Sequence, residues 1–381
     1  MPTWLAVVAP LLRIVLRTVL LSLVGLSLLA GLAGGLWRAG VSLPTPADAA
    51  WPGRALLAHA ALMICGFLGT VIGIERAVAV KLRAAFAAPL ASGLGSVCLV
   101  LGQAQAGAWL GVAAAAAFVA VNGVVVKRQR APHTLLLLAG AGAWLAGNLL
   151  FAFAPGSAAA LPWWFAFLVM TIAAERLEMT RLMRRRPGAQ PSLMAVLSAL
   201  PLGAAVSAVS PVAGGLLFGA SLALLALWLA VFDIARRTVL AHGLSRYMAV
   251  CLLGGYVWLA VAGLAWAGTA VGLPLRDAAL HALGLGFIVS MMMGHAPVIL
   301  PAVARVKLQF GLYFYVPLAL LHLSLIVRLG FGLTDASLRA VGATLNAAAL
   351  AVFALTVAGA ALAWRFHNGP PHRMQPRKNP S

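Results

Sequence analysis

Acidic side chains are the scarcest class in this chain, with 7 Asp and Glu among 381 residues against 27 Lys and Arg. All charged residues together make up only 9%, where a soluble domain carries about 25%, so a water-facing globular surface is excluded. Every Asp and Glu falls at the end of an apolar segment or in a loop. That weighs against ion-coupled transport, which usually places an ionisable group near the middle of the bilayer. Cysteine is also sparse: Cys65, Cys98 and Cys251 all lie inside apolar segments with no CxxC spacing. This argues against a disulfide framework and against a thiolate metal site.

What the chain has instead is apolar length. Hydrophobic residues make up 63% of it and the mean hydropathy is +1.01, which predicts an all-α polytopic membrane protein. A hydrocarbon layer about 30 Å thick needs roughly 20 apolar residues per helix. Such windows fall near 18–36, 55–74, 84–104, 107–126, 134–154 and 158–174, then near 190–208, 211–232, 247–268, 278–303, 310–333 and 338–364. Twelve helices are therefore expected within a single transmembrane domain over residues 1–368, followed by a disordered cytoplasmic tail over 369–381. The basic N-terminus and its apolar run resemble a signal peptide but offer no convincing small-residue cleavage site, so a retained first helix is expected.

Cytoplasmic loops are enriched in Lys and Arg, and the charges follow that rule along an N-in path. The inner loops and termini collect 22 of the 27 basic residues, leaving Arg38, Arg54, Arg276, Arg328 and Arg339 for the outer side. Both termini are thus expected in the cytoplasm of a bacterial cell, with the chain in its inner membrane. The net charge of +20 is spread over alternate loops rather than gathered in one patch, so it predicts orientation in the lipid bilayer and no nucleic-acid partner.

Segments 2 and 6 end in a shared IxxER, at residues 72–76 and 172–176. Segment 10, four helices further on, shares with segment 2 an opening of arginine followed five residues later by histidine, Arg54–His59 and Arg276–His281. Three quasi-repeats of four helices are suggested. Segments 2 and 10 run in the same direction, so His59 and His281 lie at one shallow depth, about 7 Å past their arginines.

Two imidazoles at matching depth are what a b-type haem needs as opposite axial ligands of a low-spin, six-coordinate iron. Its propionates would point outward toward Arg54, Arg276, Arg328 and Arg339. Met63, Leu62, Leu283, Gly284 and Gly286 are the expected lining. The bland reading of a single membrane histidine is a helix–helix hydrogen bond or a pore lining; the matched depth and context of the pair favour the haem.

Twelve helices, an N-in start and AHAALMICGFLG on segment 2 resemble the catalytic subunit of haem–copper oxidases and nitric oxide reductases, whose second helix carries a low-spin haem ligand in a similar setting. The histidine-led HALxxG of segment 10 and the chain length are similar to divergent NnrS-type membrane haem proteins associated with nitric oxide metabolism. The likeness covers most of the chain in topology but only two short stretches in residues. It implies that His59 and His281 are haem ligands. The oxidase pattern also needs an HxH on helix 10, but Ala279 and Leu283 flank His281 at those positions. Segment 6 has no histidine and segment 7 no metal ligand beyond a methionine, so the oxidase copper site cannot be assembled in that way. Electron transfer, or sensing or metabolism related to nitric oxide, remains, with a periplasmic donor or quinol as partner.

Four further groups have two readings each. His295 lies about 21 Å deeper than His281 on the same helix and, with His322, is a candidate for a second haem or a copper site, while plain packing explains the neighbouring Met291, Met292 and Met293. Glu75 and Glu175 read as local charge pairs with Arg76 and Arg176, or as a proton-uptake point. Asp233 and Asp277 read as interfacial charges, and His133, His242, His367 and His372 as solvated edge residues. The competing function class is a twelve-helix secondary transporter, or a copper-handling membrane protein without haem. Pro297 and Pro301, which could break segment 10, and Asn148 and Asn346 within helices are the features that favour transport.

Overall fold

The computed structural model describes residues 3–44, 46, 48–179, 187–304 and 306–368, with side chains of 3–13 and 302–305 outside the description. The tail expected to be disordered, and the arginines at 181 and 184–186, also lie outside it. Twelve helices long and apolar enough to cross a membrane follow one another among these residues, and no strand occurs among them. They are α1 (Ile14–Arg38), α2 (Trp51–Val80), α3 (Arg83–Leu101), α4 (Ala104–Arg128), α5 (Pro132–Phe153) and α6 (Ala160–Met179). The second half holds α7 (Ala189–Val206), α8 (Pro211–Phe232), α9 (Gly243–Ala270), α10 (Arg276–Pro301), α11 (Leu312–Leu333) and α12 (Ala336–His367). The chain is a multi-pass membrane protein.

Three helices are internal. The most apolar stretches of α2, α6 and α10 are 61%, 78% and 72% buried, whereas the other nine range from 22% to 50%. The internal helices are spaced four apart, which is the period suggested by the repeats. They also meet: α6 touches both α2 and α10, and the far halves of α2 and α10 pack on each other. The other helices surround them, with neighbours in sequence packed side by side and α1 reaching α12.

Both α2 and α10 depart from regular geometry at the same place. Residues Leu62–Gly69 and Ala282–Val289 are π-helical, eight residues in each case, beginning within one turn of His59 and of His281. Such widened turns cluster at functional sites. Helix α6, which has no histidine, has no such stretch. The expected break at Pro297 and Pro301 does not occur, because the helix from Ser290 to Ala304 runs through both. Pro297 has no N–H for the carbonyl four residues earlier; that carbonyl, on Met293, instead accepts the Tyr247 hydroxyl at 3.3 Å. A side chain from α9 thus satisfies the group that proline leaves open, as a bilayer interior requires.

Candidate functional site

Helix α1 approaches α2 through glycine. A Cβ on Gly34 would stand 2.2 Å from the Ala55 carbonyl oxygen, one on Gly31 would meet the Met63 sulfur at 2.6 Å, and one on Gly35 would meet the His59 ring at 2.7 Å. Gly31 and Gly35 form a GxxxG pair, the small-residue spacing that lets membrane helices close up. In that contact His59 Nδ1 lies 2.7 Å from the Gly31 carbonyl oxygen. A carbonyl only accepts, so Nδ1 carries the proton and Nε2 carries the lone pair. No hydrogen bond engages that Nε2 among the described residues.

His281 is anchored differently. Its Nδ1 donates to the Asp277 main-chain oxygen at 3.0 Å and to Asp277 Oδ1 at 2.9 Å. The same carboxylate receives Arg328 in two-pronged fashion, Nε to Oδ2 at 3.0 Å and Nη2 to Oδ1 at 2.9 Å. Arg328 Nη2 also reaches His281 Nε2 at 3.1 Å, so the guanidinium donates to that lone pair. Arg328 is itself held from α12: its Nη1 donates to Asn346 Oδ1 at 3.4 Å, and Asn346 Nδ2 donates to Ser324 Oγ at 2.6 Å. Gly342 makes room for this, since a Cβ there would lie 2.6 Å from the Arg328 main-chain nitrogen.

The two imidazoles face each other with ring centres 6.3 Å apart and planes 27° from parallel. A metal bonded to one nitrogen of each ring at about 2 Å requires centres roughly 6 Å apart. Anchoring the Nδ1 of each ring to an acceptor fixes the tautomer and orients the ligating nitrogen. His59 and His281 are the residues that would hold an iron between them, once the Arg328 N–H leaves the lone pair of His281 Nε2.

The expected lining is brought together only in part. Met63 lies against Gly31 beside His59, and Leu62 and Leu283 are fully buried. Gly284 has space beside it, with only Phe165 at 3.9 Å from a would-be Cβ, whereas Gly286 is closed off by Trp258 at 2.4 Å. Of the arginines expected at the propionates, Arg54 turns to the Val100 carbonyl at 3.4 Å and Arg339 to the Gly332 and Leu333 carbonyls at 2.9 and 3.3 Å. Arg276 is exposed. Arg328 and Arg38 are the guanidiniums within electrostatic reach of His59.

The family described as a domain of unknown function (DUF8744) matches residues 17–362. The chain belongs to that family. No curated protein and no solved structure matches it.

Elsewhere in this DUF8744 chain the second histidine pair is not assembled. His322 Nδ1 accepts the Trp258 indole N–H at 2.7 Å, and its ring lies against Gly254 on α9. His295 donates from Nδ1 to the Met291 carbonyl at 2.7 Å and stands within electrostatic reach of Arg176 and Asp233. No hydrogen bond or ring contact joins His295 to His322, and no group of three metal-ligating His, Cys, Asp or Glu occurs among the described residues. Met291 and Met293 are buried packing residues, Met291 lying against Gly255.

Three expectations about charge need correction. Asp233 is no interfacial charge: Arg176 grips it through Nε at 3.0 Å and Nη2 at 2.8 Å, with the two side chains 7% and 3% exposed. Arg176 thus has a close and directional partner 57 residues away, as a desolvated ion needs. Asp277 likewise belongs to the histidine site. His133, expected to be solvated, is buried at 6% exposure. Asn148, a polar residue that had favoured transport, is used in packing: Trp144 Nε1 donates to Cys65 Sγ at 3.3 Å, and Cys65 Sγ to Asn148 Oδ1 at 3.6 Å.

Proposed function

We propose that this protein holds one b-type haem between His59 and His281 and serves one-electron transfer, or metabolism or sensing related to nitric oxide, in a bacterial cytoplasmic membrane. The observation that carries the reading is the facing imidazole pair, 6.3 Å between centres, with each Nδ1 committed to an acceptor so that each Nε2 is the ligating nitrogen. The haem supplies a one-electron couple when bound. The chain supplies the rest. Gly31 and Gly35 hold the His59 ring against α1, and Asp277 holds the His281 ring and raises the basicity of its Nε2 through the Nδ1–carboxylate bond. Arg38 places positive charge near the pair, where propionates would be neutralised, while Arg328 is balanced by Asp277.

With the N-in orientation favoured by the loop charges, the histidines lie near the periplasmic face, which suits a periplasmic electron donor or a quinol in that leaflet. The IxxER and Arg–x4–His correspondences and the internal placement of α2, α6 and α10 support a scaffold related to the haem–copper oxidases, without the helix 6 and 7 histidines of their copper site.

The test is a pyridine haemochrome assay with a reduced-minus-oxidised optical spectrum on protein purified from haem-replete cells, alongside His59→Ala and His281→Ala. One haem b per chain with a low-spin α-band, lost or converted to high spin in each variant, is the expected result. Colourless, metal-free protein would overturn the reading in favour of transport, and stoichiometric copper without haem would favour copper handling.

A further inference from the structure

The end of the bundle away from His59 and His281 carries five exposed basic residues: Lys81 and Arg83 between and at the ends of α2 and α3, and Lys127, Arg128 and Arg130 at and just past the end of α4. The two loops are joined, since Arg128 Nη1 donates to the Val80 carbonyl at 2.8 Å and the turn Arg83–Phe86 packs on α4. Among the described residues no ion pair engages any of the five. The carboxylates of Glu75 and Glu175 have Arg76 within electrostatic reach instead.

Orientation in the bilayer explains why basic residues collect in such loops, but not how Lys81 is held. Among the described residues it alone has a positive φ without being glycine, at φ 59° and ψ 30° just past the end of α2. Helices usually place glycine there, because a Cβ is strained in the left-handed region. A lysine kept in a strained position is a sign that its side chain is used. The second loop is fixed as well: Thr134 Oγ1 donates to the Gln129 carbonyl at 2.8 Å and accepts the Ala131 N–H at 3.1 Å. We propose that these two loops bind the headgroup of an anionic phospholipid carrying two phosphates. Cations without counter-ions on two joined loops suit a pair of phosphates, and basic pockets between membrane helices hold headgroups of that kind. The loops lie where the apolar helices end, at the level of the lipid headgroups. Leu135, 48% exposed in the first turn of α5, offers an acyl chain an apolar surface that a soluble polyanion would not use.

Tetraoleoyl cardiolipin is the probe, titrated into the delipidated full chain in a non-ionic detergent and followed by native mass spectrometry, with phosphatidylcholine and inorganic pyrophosphate as comparison arms. Wild type should bind cardiolipin well above phosphatidylcholine. Lys81→Gly, Arg83→Gln and Arg130→Gln should each lose about fivefold in cardiolipin affinity, and the triple variant roughly a hundredfold. Lys81→Gly should do so with thermal unfolding in lipid-free detergent unchanged or raised, because glycine suits the left-handed backbone. That variant keeps the test decisive if the triple variant fails to fold. Arg236→Gln/Arg237→Gln, which removes two exposed cations from the loop after α8, should stay within about twofold of wild type if only the proposed loops bind the headgroup. Equal binding of the two lipids, wild-type affinity in Lys81→Gly and the triple variant, or an equal loss in the Arg236/Arg237 control would overturn the proposal. Displacement of cardiolipin by millimolar pyrophosphate would overturn it in favour of a soluble polyanion. None of these readouts depends on haem.

Discussion

Arg176 and Arg328 each grip an aspartate through two nitrogens, and each stands near a histidine on α10, yet the two histidines are treated in opposite ways. At the Arg328–Asp277 pair both His281 nitrogens are engaged, Nδ1 by the carboxylate and Nε2 by the guanidinium. At the Arg176–Asp233 pair His295 keeps Nδ1 on its own helix, and its buried Nε2 has no hydrogen-bond partner among the described residues. The nearby Tyr256 hydroxyl is also buried, within reach of both Asp233 and Arg176. The first arrangement orients a ring toward a facing imidazole. The second ties α6 to the segment after α8, and among the described residues no other imidazole faces its histidine.

Removing each aspartate separates the two roles. Asp233→Ala should have the largest effect on stability, about 3–5 kcal/mol, because it removes the two-pronged carboxylate from a buried guanidinium; unfolding in a graded detergent series would measure it, and haem content of the surviving folded fraction should be unchanged. Asp277→Ala strands Arg328 where its own partner is one-third exposed, so a smaller stability loss is expected, together with a shift in the haem midpoint potential that Asp233→Ala does not produce.

A gentler contrast runs along α1. Gly34→Ala places a methyl group against the main-chain oxygen of Ala55, which no rotamer change can relieve, and overpacking of that kind costs roughly 1–3 kcal/mol. Gly25→Ala has nothing within 4 Å and should be neutral. If the two variants behave alike in detergent unfolding and haem retention, the glycine contact does not set the position of His59. The smallest effect is expected for Arg54→Gln, whose 3.4 Å carbonyl contact is exposed. Stability within about 0.5 kcal/mol of wild type and unchanged haem uptake would separate it from Arg328.

The twelve helices were legible in the sequence because apolar length and alternating loop charge are one-dimensional signals. The pairing of His59 with His281 was legible for a related reason, since equal offsets from Arg54 and Arg276 on helices of the same direction give equal depth. Asp277 and Arg328 were not paired because 51 residues separate them and each lies near a helix end, where an unpaired charge can be solvated. The spacing of Gly31 and Gly35 was a readable sign of close helix approach, but nothing in it names His59 as the residue approached. Helix α10 shows the converse limit: prolines at 297 and 301 signal a break, yet Tyr247, which completes the hydrogen bonding and lets the helix continue, comes from another helix.

The central claim is that one iron is shared by His59 and His281. Near-infrared magnetic circular dichroism of the oxidised holoprotein reads the axial ligand pair of a low-spin haem directly. The account predicts a bis-imidazole charge-transfer band in wild type that moves to a histidine–methionine position in both His59→Met and His281→Met. A wild-type band that persists in either variant, or a high-spin spectrum in wild type, would contradict it.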